Sequence, residues 1–282
     1  MLLINNLKCS IIISVYKDTD SLDLILESLS KQTVVPDEVI ISEDGNSVEM
    51  AEYVSVAKNK YNKLDITHLF QEDIGWRKNK ALNRAIVASK YEYLIFIDGD
   101  CVPYDNFIEW HLKLAEKNNV LCGRRSEPGD VITNKIRNRN ITVKDYRKNY
   151  LKLFFEYKRD KNAKHYDAGI FINPNSIIGK ILKNKRDKKA HLVGCNFSCF
   201  KSDLEKINGF DEDFSMPTTG EDTDIERRMR LCNIGMKSCR NAAIIVHLYH
   251  KKVFDDEISK KTLELMNSKG DEYFCGNGIK KF

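Results

Sequence analysis

Short, nearly unbroken apolar runs alternate along the first half of the chain with stretches whose apolar positions recur every three or four residues. Residues 9–15 (CSIIISV) form a β-branched run bounded by the polar KDTD. Leu22, Ile25, Leu26 and Leu29 then fall on one helical face. A second run, 39–42 (VIIS), ends in Glu43, Asp44, Gly45 and Asn46, and a helix-like stretch over 48–60 follows. Residues 66–70 read as a third strand, Ala81, Leu82, Ala85 and Ile86 as the face of a third helix, and 93–97 (YLIFI) as a fourth strand ending in Asp98, Gly99 and Asp100. Strands separated by helices need crossover connections, which predicts an α/β fold with a mainly parallel central sheet.

Beyond residue 190 the pattern resumes. LVGCNFSCF and AAIIVHLYH read as strands. Ile225, Met229 and Cys232 mark a helix stopped by Asn233 and Gly235, and a polar helix and tail begin near residue 257. In open α/β sheets, ligands sit beyond the carboxyl ends of the strands. Polar clusters fall at three such ends: Tyr16, Lys17 and Asp18; Glu43, Asp44 and Gly45; Asp98, Gly99 and Asp100. That placement argues for a site without reference to any family.

Composition narrows the class. With 282 residues, 42% hydrophobic and 31% charged, the chain is neither collagenous, nor a coiled coil, nor mainly disordered. No apolar run approaches the roughly 20 residues of a membrane span, and the N-terminus lacks a signal-peptide pattern, so the expected location is cytoplasmic. The eight cysteines include no CxxC pair. Cys195 and Cys199 lie four apart in an apolar stretch, which suits small buried residues better than a disulfide or zinc site.

The formal net charge of +5 hides an asymmetry: 134–190 holds 17 Lys and Arg against 5 Asp and Glu, a surplus of 12 positive charges. Three readings stand for this segment. It is a solvated linker that orders little, a recognition element for an anionic acceptor, or a membrane-docking element. The third rests on Ile177, Ile178, Ile181 and Leu182 among Lys180, Lys183, Lys185, Arg186, Lys188 and Lys189, a short basic amphipathic stretch. No RNA- or DNA-binding module accompanies the charge, and Tyr146, Tyr150, Phe154, Phe155 and Tyr157 read as a helix face rather than a stacking platform, so nucleic acid is not an expected partner.

Each candidate motif has a bland alternative. Asp98 and Asp100 flank a glycine as two carboxylates able to approach a divalent cation on a diphosphate, or simply as an acidic turn. Gly220, Glu221, Asp222, Thr223 and Asp224 open a helix, either as a general base at its start or as helix-capping acids with Thr218 or Thr219. His247 and His250 frame HLYH. If the strand persists, alternation sends them to opposite faces. The stretch GWRKNK at 75–80 suits a phosphate at a helix start, or is a solvated basic turn with Trp76 on the surface.

Taken in order, ISVYKDTDSL, IISEDGN, GWRKNKALNRAI, YLIFIDGDC, INGFDEDF, GEDTDIERRM and VHLYH resemble family 2 of the nucleotide-sugar glycosyltransferases. The resemblance covers 8–123 and 191–252. GEDTD and the later histidine also resemble the β-1,4-galactosyltransferase and chondroitin-polymerase branches. The resemblance implies a GT-A (Rossmann-like) fold and a metal-dependent, inverting transfer from a nucleotide diphosphate-sugar, usually a UDP-sugar. The acceptor it implies is a glycan or lipid-linked hydroxyl in surface polysaccharide synthesis. Its parts would be a nucleotide-sugar-binding part over 1–133, a basic, variable insertion over 134–190, a smaller acceptor-binding and catalytic part over 191–256, and a tail over 257–282.

The resemblance also implies roles. Val15 and Tyr16 would cradle the nucleotide. Glu43 and Asp44, where the family usually has Asp-Asp, would contact the base, and Arg77 and Lys80 the base and phosphates. Asp98 would face ribose and metal. Asp100 and His247 would ligate Mn²⁺ or Mg²⁺, with His250 the alternative. Asp222 would be the catalytic base, and Glu221 would position the acceptor. The SMPTTG segment before GEDTD would be a loop that orders over the donor. A nucleotidyltransferase is the rival enzyme, but it calls for a glycine-rich loop after the first strand, and ISVYKDTDS has none. A non-catalytic sugar-binding relative is argued against by the intact Asp98, Asp100 and Asp222. Peripheral contact with an anionic inner membrane face follows from the docking reading of the insertion.

Overall fold

An apolar run with no polar interruption can be satisfied only where both faces of a strand are covered. Cys9–Val15 is such a strand, β1, and is buried along nearly its whole length. Thr19–Ser30 follows as α1, its first turn capped by the Asp18 carboxylate, which accepts the Ser21 amide at 2.9 Å. Its buried face holds Leu22, Ile25, Leu26 and Leu29. Glu38–Glu43 (β2), Val48–Lys60 (α2), Ile66–Leu69 (β3), Lys78–Ala88 (α3) and Tyr93–Asp98 (β4) continue the alternation. The computed structural model describes residues 7–216, 220–251 and 256–281. In it β3, β2, β1 and β4 lie side by side, all parallel. The register sets Ser14 beside both Ser42 and Asp98, so the polar ends of β1, β2 and β4 share one edge.

After β4 the chain changes sheet. Gly99 makes the turn possible, because a Cβ there would lie 2.9 Å from the Ser14 carbonyl oxygen. Cys101–Pro103 (β5) then joins a small second sheet. Phe107–Leu114 (α4), Asn119–Cys122 (β6), Arg124–Ser126 (β7) and Gly129–Arg137 (α5) follow. Later come Asn196–Phe200 (β8), Gly235–Ser238 (β9) and Ile244–His247 (β10). The main sheet runs β3-β2-β1-β4-β8-β6-β9, with β8 antiparallel to both neighbours, and the second sheet runs β5-β10-β7. The strand expected across LVGCNFSCF begins only at Asn196, after a turn in which the Asn196 amide bonds Val193. Cys195 and Cys199 are both buried.

The segment 134–190 is not a linker that orders little. After α5 it forms Val143–Lys148 (α6), Tyr150–Arg159 (α7), a 3-10 turn at Tyr166–Gly169 and Ile177–Asp187 (α8). Tyr146 and Tyr157 are fully buried in the main core, and their hydroxyls meet Ser126 Oγ at 2.9 and 3.2 Å. The lysines mask this in the composition, because the aromatic face goes inward while the cations stay wet. Lys201–Lys206 (α9), Gly220–Leu231 (α10) and Asp256–Ser268 (α11) complete the chain. No helix among the described residues is long and apolar enough to cross a membrane.

If the insertion is part of the core, Tyr146→Ala should lower stability by about 3 kcal/mol, the scale of a buried aromatic truncation. Urea unfolding of the two proteins measures this, and an unchanged midpoint would return the segment to the status of a loose appendage.

Candidate active site

A cavity of about 690 Å³ opens at the shared carboxyl edge of β1, β2 and β4. Val15, Tyr16, Asp44, Asp98 and Asp100 line it, as the sequence reading expects, and so do Ser14, Trp76 and Lys78. Trp76 therefore belongs to the cavity wall rather than to a surface turn. Asp44 is fixed by Gln71 Nε2 at 2.6 Å and by the Arg77 backbone N–H at 2.7 Å. Arg77 contributes through that amide, while its guanidinium bonds the Glu72 carbonyl.

Of the expected residues, Glu43, Arg77, Lys80, Glu221, Asp222 and His247 do not line this cavity. Side chains alternate along β2, so Ser42 and Asp44 face the cavity and Glu43 turns away. The buried Glu43 carboxylate instead accepts the Ser47 amide at 2.9 Å and meets His68 Nε2 at 2.9 Å. Lys80 is exposed and does not line the cavity. The cations that do are Arg137, from the end of α5, and Lys78, one helical turn before Ala81 and Leu82 and hence on their face. The spacing 78, 81, 82, 85 was visible in the sequence and would have found Lys78.

Lys78 Nζ lies 2.8 Å from Asp98 Oδ1 and 3.6 Å from Glu221 Oε1. Burial works to lower its pKa, but Asp98 and Glu221 outweigh that and hold the ammonium charged, above its usual range. Through Lys78 the start of α10 reaches the end of β4. The four carboxylates of α10 divide their work. Asp224 pairs with the buried Arg228 at 2.7 Å, and Glu226 accepts the Leu192 amide at 2.7 Å, so both are structural. Glu221 and Asp222 are left for the site. Asp222 Oδ2 accepts the Gly194 amide at 3.3 Å. Burial raises its pKa, against the pull of that amide and of Lys78. Burial likewise pushes Glu221 up to about 7, with Lys78 opposing and Asp222 adding to it. Positions 217–219, where capping threonines and a donor-covering loop were expected, lie outside the described residues.

At the other end of the cavity Asp100 Oδ2 meets His247 Nε2 at 3.3 Å and His250 Nε2 at 3.2 Å. The expectation that the histidines face opposite ways fails because β10 ends at His247. The Leu248 amide then bonds the Asp100 carbonyl at 2.9 Å, and the chain turns His250 back to the same carboxylate. One ligand atom from each of the three residues falls within 4.8 Å of the others. Burial tends to raise the Asp100 carboxyl, but the two imidazoles hold it below the usual carboxylate range. Burial lowers His247, against Asp100, so its imidazole is neutral at pH 7. An ionised carboxylate with a neutral imidazole beside it is a donor set that fits a divalent cation.

The family model described as glycosyl transferase family 2 matches residues 10–207. The chain belongs to this family. A second model, described as the N-terminal domain of galactosyltransferase, matches 182–251 of this family 2 glycosyltransferase. Chondroitin synthase of Pasteurella multocida is 30% identical over 123 residues, 43% of this chain and 12% of that protein. The putative glycosyltransferase EpsH of Bacillus subtilis is 29% identical over 154 residues, 53% of this chain and 43% of that protein. The chain thus spans less than half the length of these curated relatives.

Among solved structures, the Pyrobaculum calidifontis mannosyltransferase PcManGT in complex with GDP-Man and Mn²⁺ superposes with a TM-score of 0.58 at 13% identity. The match covers 93% of this chain and 63% of that one. S. aureus TarS 1–349 in complex with UDP gives 0.55 at 16% identity, covering 93% and 65%. The fold of this glycosyltransferase is therefore GT-A.

Glu221 gives the protein a pH signature. Its ordinary value is 4.5 and its folded value about 7, so between them the folded state keeps a proton that the unfolded chain has released. Stability should fall as pH rises across that interval and level off above it. Urea midpoints measured across the interval should show this slope, and Glu221→Gln should flatten it. A slope that survives the substitution would assign the effect to other groups.

Proposed function

We propose that the chain transfers a sugar from a nucleoside diphosphate-sugar, a UDP-sugar on our reading, to a hydroxyl of a glycan or lipid-linked acceptor in polysaccharide synthesis, with inversion at the anomeric carbon. One observation carries the reading. Lys78 links Asp98, which lines the nucleotide cavity together with Asp100 and His250, to Glu221 on α10, the sequence neighbour of Asp222. Support also comes from the relatives whose names describe polysaccharide synthesis and from the GDP-Man and UDP carried by structures of the same fold.

On this reading Val15, Tyr16 and Asp44 cradle the base and ribose, and Asp98 faces the ribose. Asp100, His247 and His250 would hold the divalent ion. Two imidazoles weigh for Mn²⁺ over Mg²⁺, which asks for oxygen ligands. When bound, the ion neutralises part of the charge that gathers on the departing diphosphate. Asp222 takes the proton of the acceptor hydroxyl. The oxygen attacks the anomeric carbon, and the carbon–oxygen bond to the diphosphate breaks with its electron pair leaving on the diphosphate. Burial makes Asp222 a stronger base than an exposed aspartate. Glu221 Oε2 is buried with no hydrogen-bond partner among the described residues, which suits it to position the acceptor.

The exposed face of α8 supports a second element of the reading, contact with an anionic bilayer surface. Ile177, Ile178 and Ile181 are 79%, 65% and 63% exposed. Lys180, Lys185 and Lys188 flank them, while Gly179, Lys183 and Arg186 face the protein. An apolar wedge rimmed by cations fits acidic headgroups, and a lipid-linked acceptor would be met there.

Asp222→Asn should reduce transfer by about 10²- to 10⁴-fold while nucleotide affinity, read by calorimetry, stays unchanged. Transfer at the wild-type rate would remove Asp222 from the role of base. The protein should co-sediment with phosphatidylglycerol vesicles in a salt-sensitive way, and not with phosphatidylcholine vesicles. Ile178→Asp with Ile181→Asp should abolish this. Absence of salt-sensitive binding by the wild type would eliminate the docking reading.

A further inference from the structure

A second cavity, of about 310 Å³, meets the first at the histidines: His250 lines both, and His247 lines this one. Its remaining wall is basic. Lys161, Lys164 and Lys251 border it and are exposed. Among the described residues none of the three forms an ion pair. The one carboxylate on the wall among the described residues, Glu127, is engaged by Arg125 Nε at 2.5 Å. Among the described residues, lysines therefore outnumber carboxylates three to one on the cavity wall.

The backbone that presents these lysines is fastened at several points. The Asp160 carboxylate accepts the Val131 amide at 3.0 Å and the Asn162 amide at 2.9 Å, tying the loop to the start of α5. Gly129 permits this approach: its φ is +78°, and a Cβ there would lie 2.4 Å from the Asp160 carboxyl carbon. Lys164 and Glu127 exchange backbone hydrogen bonds at 2.8 and 3.3 Å, and Tyr157 Oη donates to the Lys164 carbonyl at 2.5 Å. On the other side the Tyr249 amide bonds Thr133 Oγ1 at 2.9 Å, which places Lys251. A held loop with unpaired ammonium groups is preorganised for an anion.

We infer that this cavity is an anion subsite, and that its ligand is a carboxylate or phosphate carried by the acceptor. The assignment rests on the proposed transferase reading. The donor's nucleotide occupies the strand-end cavity and its diphosphate lies toward Asp100, so an anion beyond the histidines belongs to the other substrate. Two of the three lysines come from the 134–190 insertion, which thereby selects acidic acceptors.

The test is equilibrium binding in the presence of UDP and Mn²⁺, with tetragalacturonate and a glycerol-phosphate oligomer as anionic probes and maltotetraose as the neutral one. At least one anionic probe should bind more tightly than maltotetraose and should not be displaced by added UDP. Combining Lys161→Ala, Lys164→Ala and Lys251→Ala should weaken that probe at least about tenfold and leave UDP affinity as it was. Equal binding of charged and neutral probes, displacement by UDP, or an unaffected triple variant would each overturn the subsite. Tighter binding of UDP-glucuronate than of UDP-glucose, lost in the triple variant, would give the anion to the donor and overturn the acceptor assignment. A protein that binds the anionic probe but no UDP keeps the subsite and loses the transferase reading, so the two failures are distinct.

Discussion

A buried ammonium shared between two carboxylates fixes the geometry on which the site depends. Lys78 reaches Asp98 at the end of β4 and Glu221 at the start of α10, two elements that otherwise belong to different parts of the chain. Removing one member of such a group strands the others' charge in a poorly solvated place, which is far more damaging than loss of a surface pair. The ammonium sits closer to Asp98 than to Glu221. Asp98 accepts hydrogen bonds from Ser14 Oγ and Lys78. Glu221 is farther from the ammonium and crowded by Asp222, so burial wins and its proton is held to about pH 7.

The metal-fitting end of the cavity is built differently, by joining two sheets. Asp100 sits where the chain leaves the main sheet for the small one, and His247 is the last residue of β10, opposite Cys101. Gly99 makes the crossing possible by lying against β1. A substitution that moved β5 would therefore displace the carboxylate and both imidazoles together, although no ligand itself had changed.

The parallel half of the sheet was legible because its strands are uninterrupted apolar runs and its helices show the i, i+3, i+4 spacing. The edge on which the site lies followed from where polar residues end those runs. What escaped the reading were matters of parity and of chain reversal. Glu43 and Asp44 are neighbours in sequence but point to opposite sides at the end of β2. Lys80 is two residues past Lys78 and so points away from it on α3. His250 joins His247 only because β10 stops, and no propensity marks that stop. The membership of the GEDTD carboxylates was ambiguous for a different reason. Asp224 and Glu226 are committed to Arg228, to the His191 ring and to the Leu192 amide, partners that lie far off in sequence or are themselves hidden in a charged run.

The insertion shows how a charge surplus becomes specific once folded. Part of it is consumed locally and across the molecule: Arg139 pairs with Asp23 and Glu27, Arg147 with Asp105, and Lys135 with Glu156. These pairs, with the buried tyrosines, hold the segment onto α1 and the small sheet. Among the described residues, the cations without an ion pair include Lys148, Lys152, Lys158 and Arg159 along α6 and α7 and Lys189 after α8, and others stand at two particular features. Lys161 and Lys164 stand at the second cavity, and Lys180, Lys185 and Lys188 stand around the exposed isoleucines of α8. A solvated linker would hold none of its lysines at a fixed place, because every position in it sees the same water. Fixed placement requires a rigid frame, and the frame here is the aromatic face that packs against Ser126. The same helices that complete the core therefore decide where positive charge remains for acidic ligands.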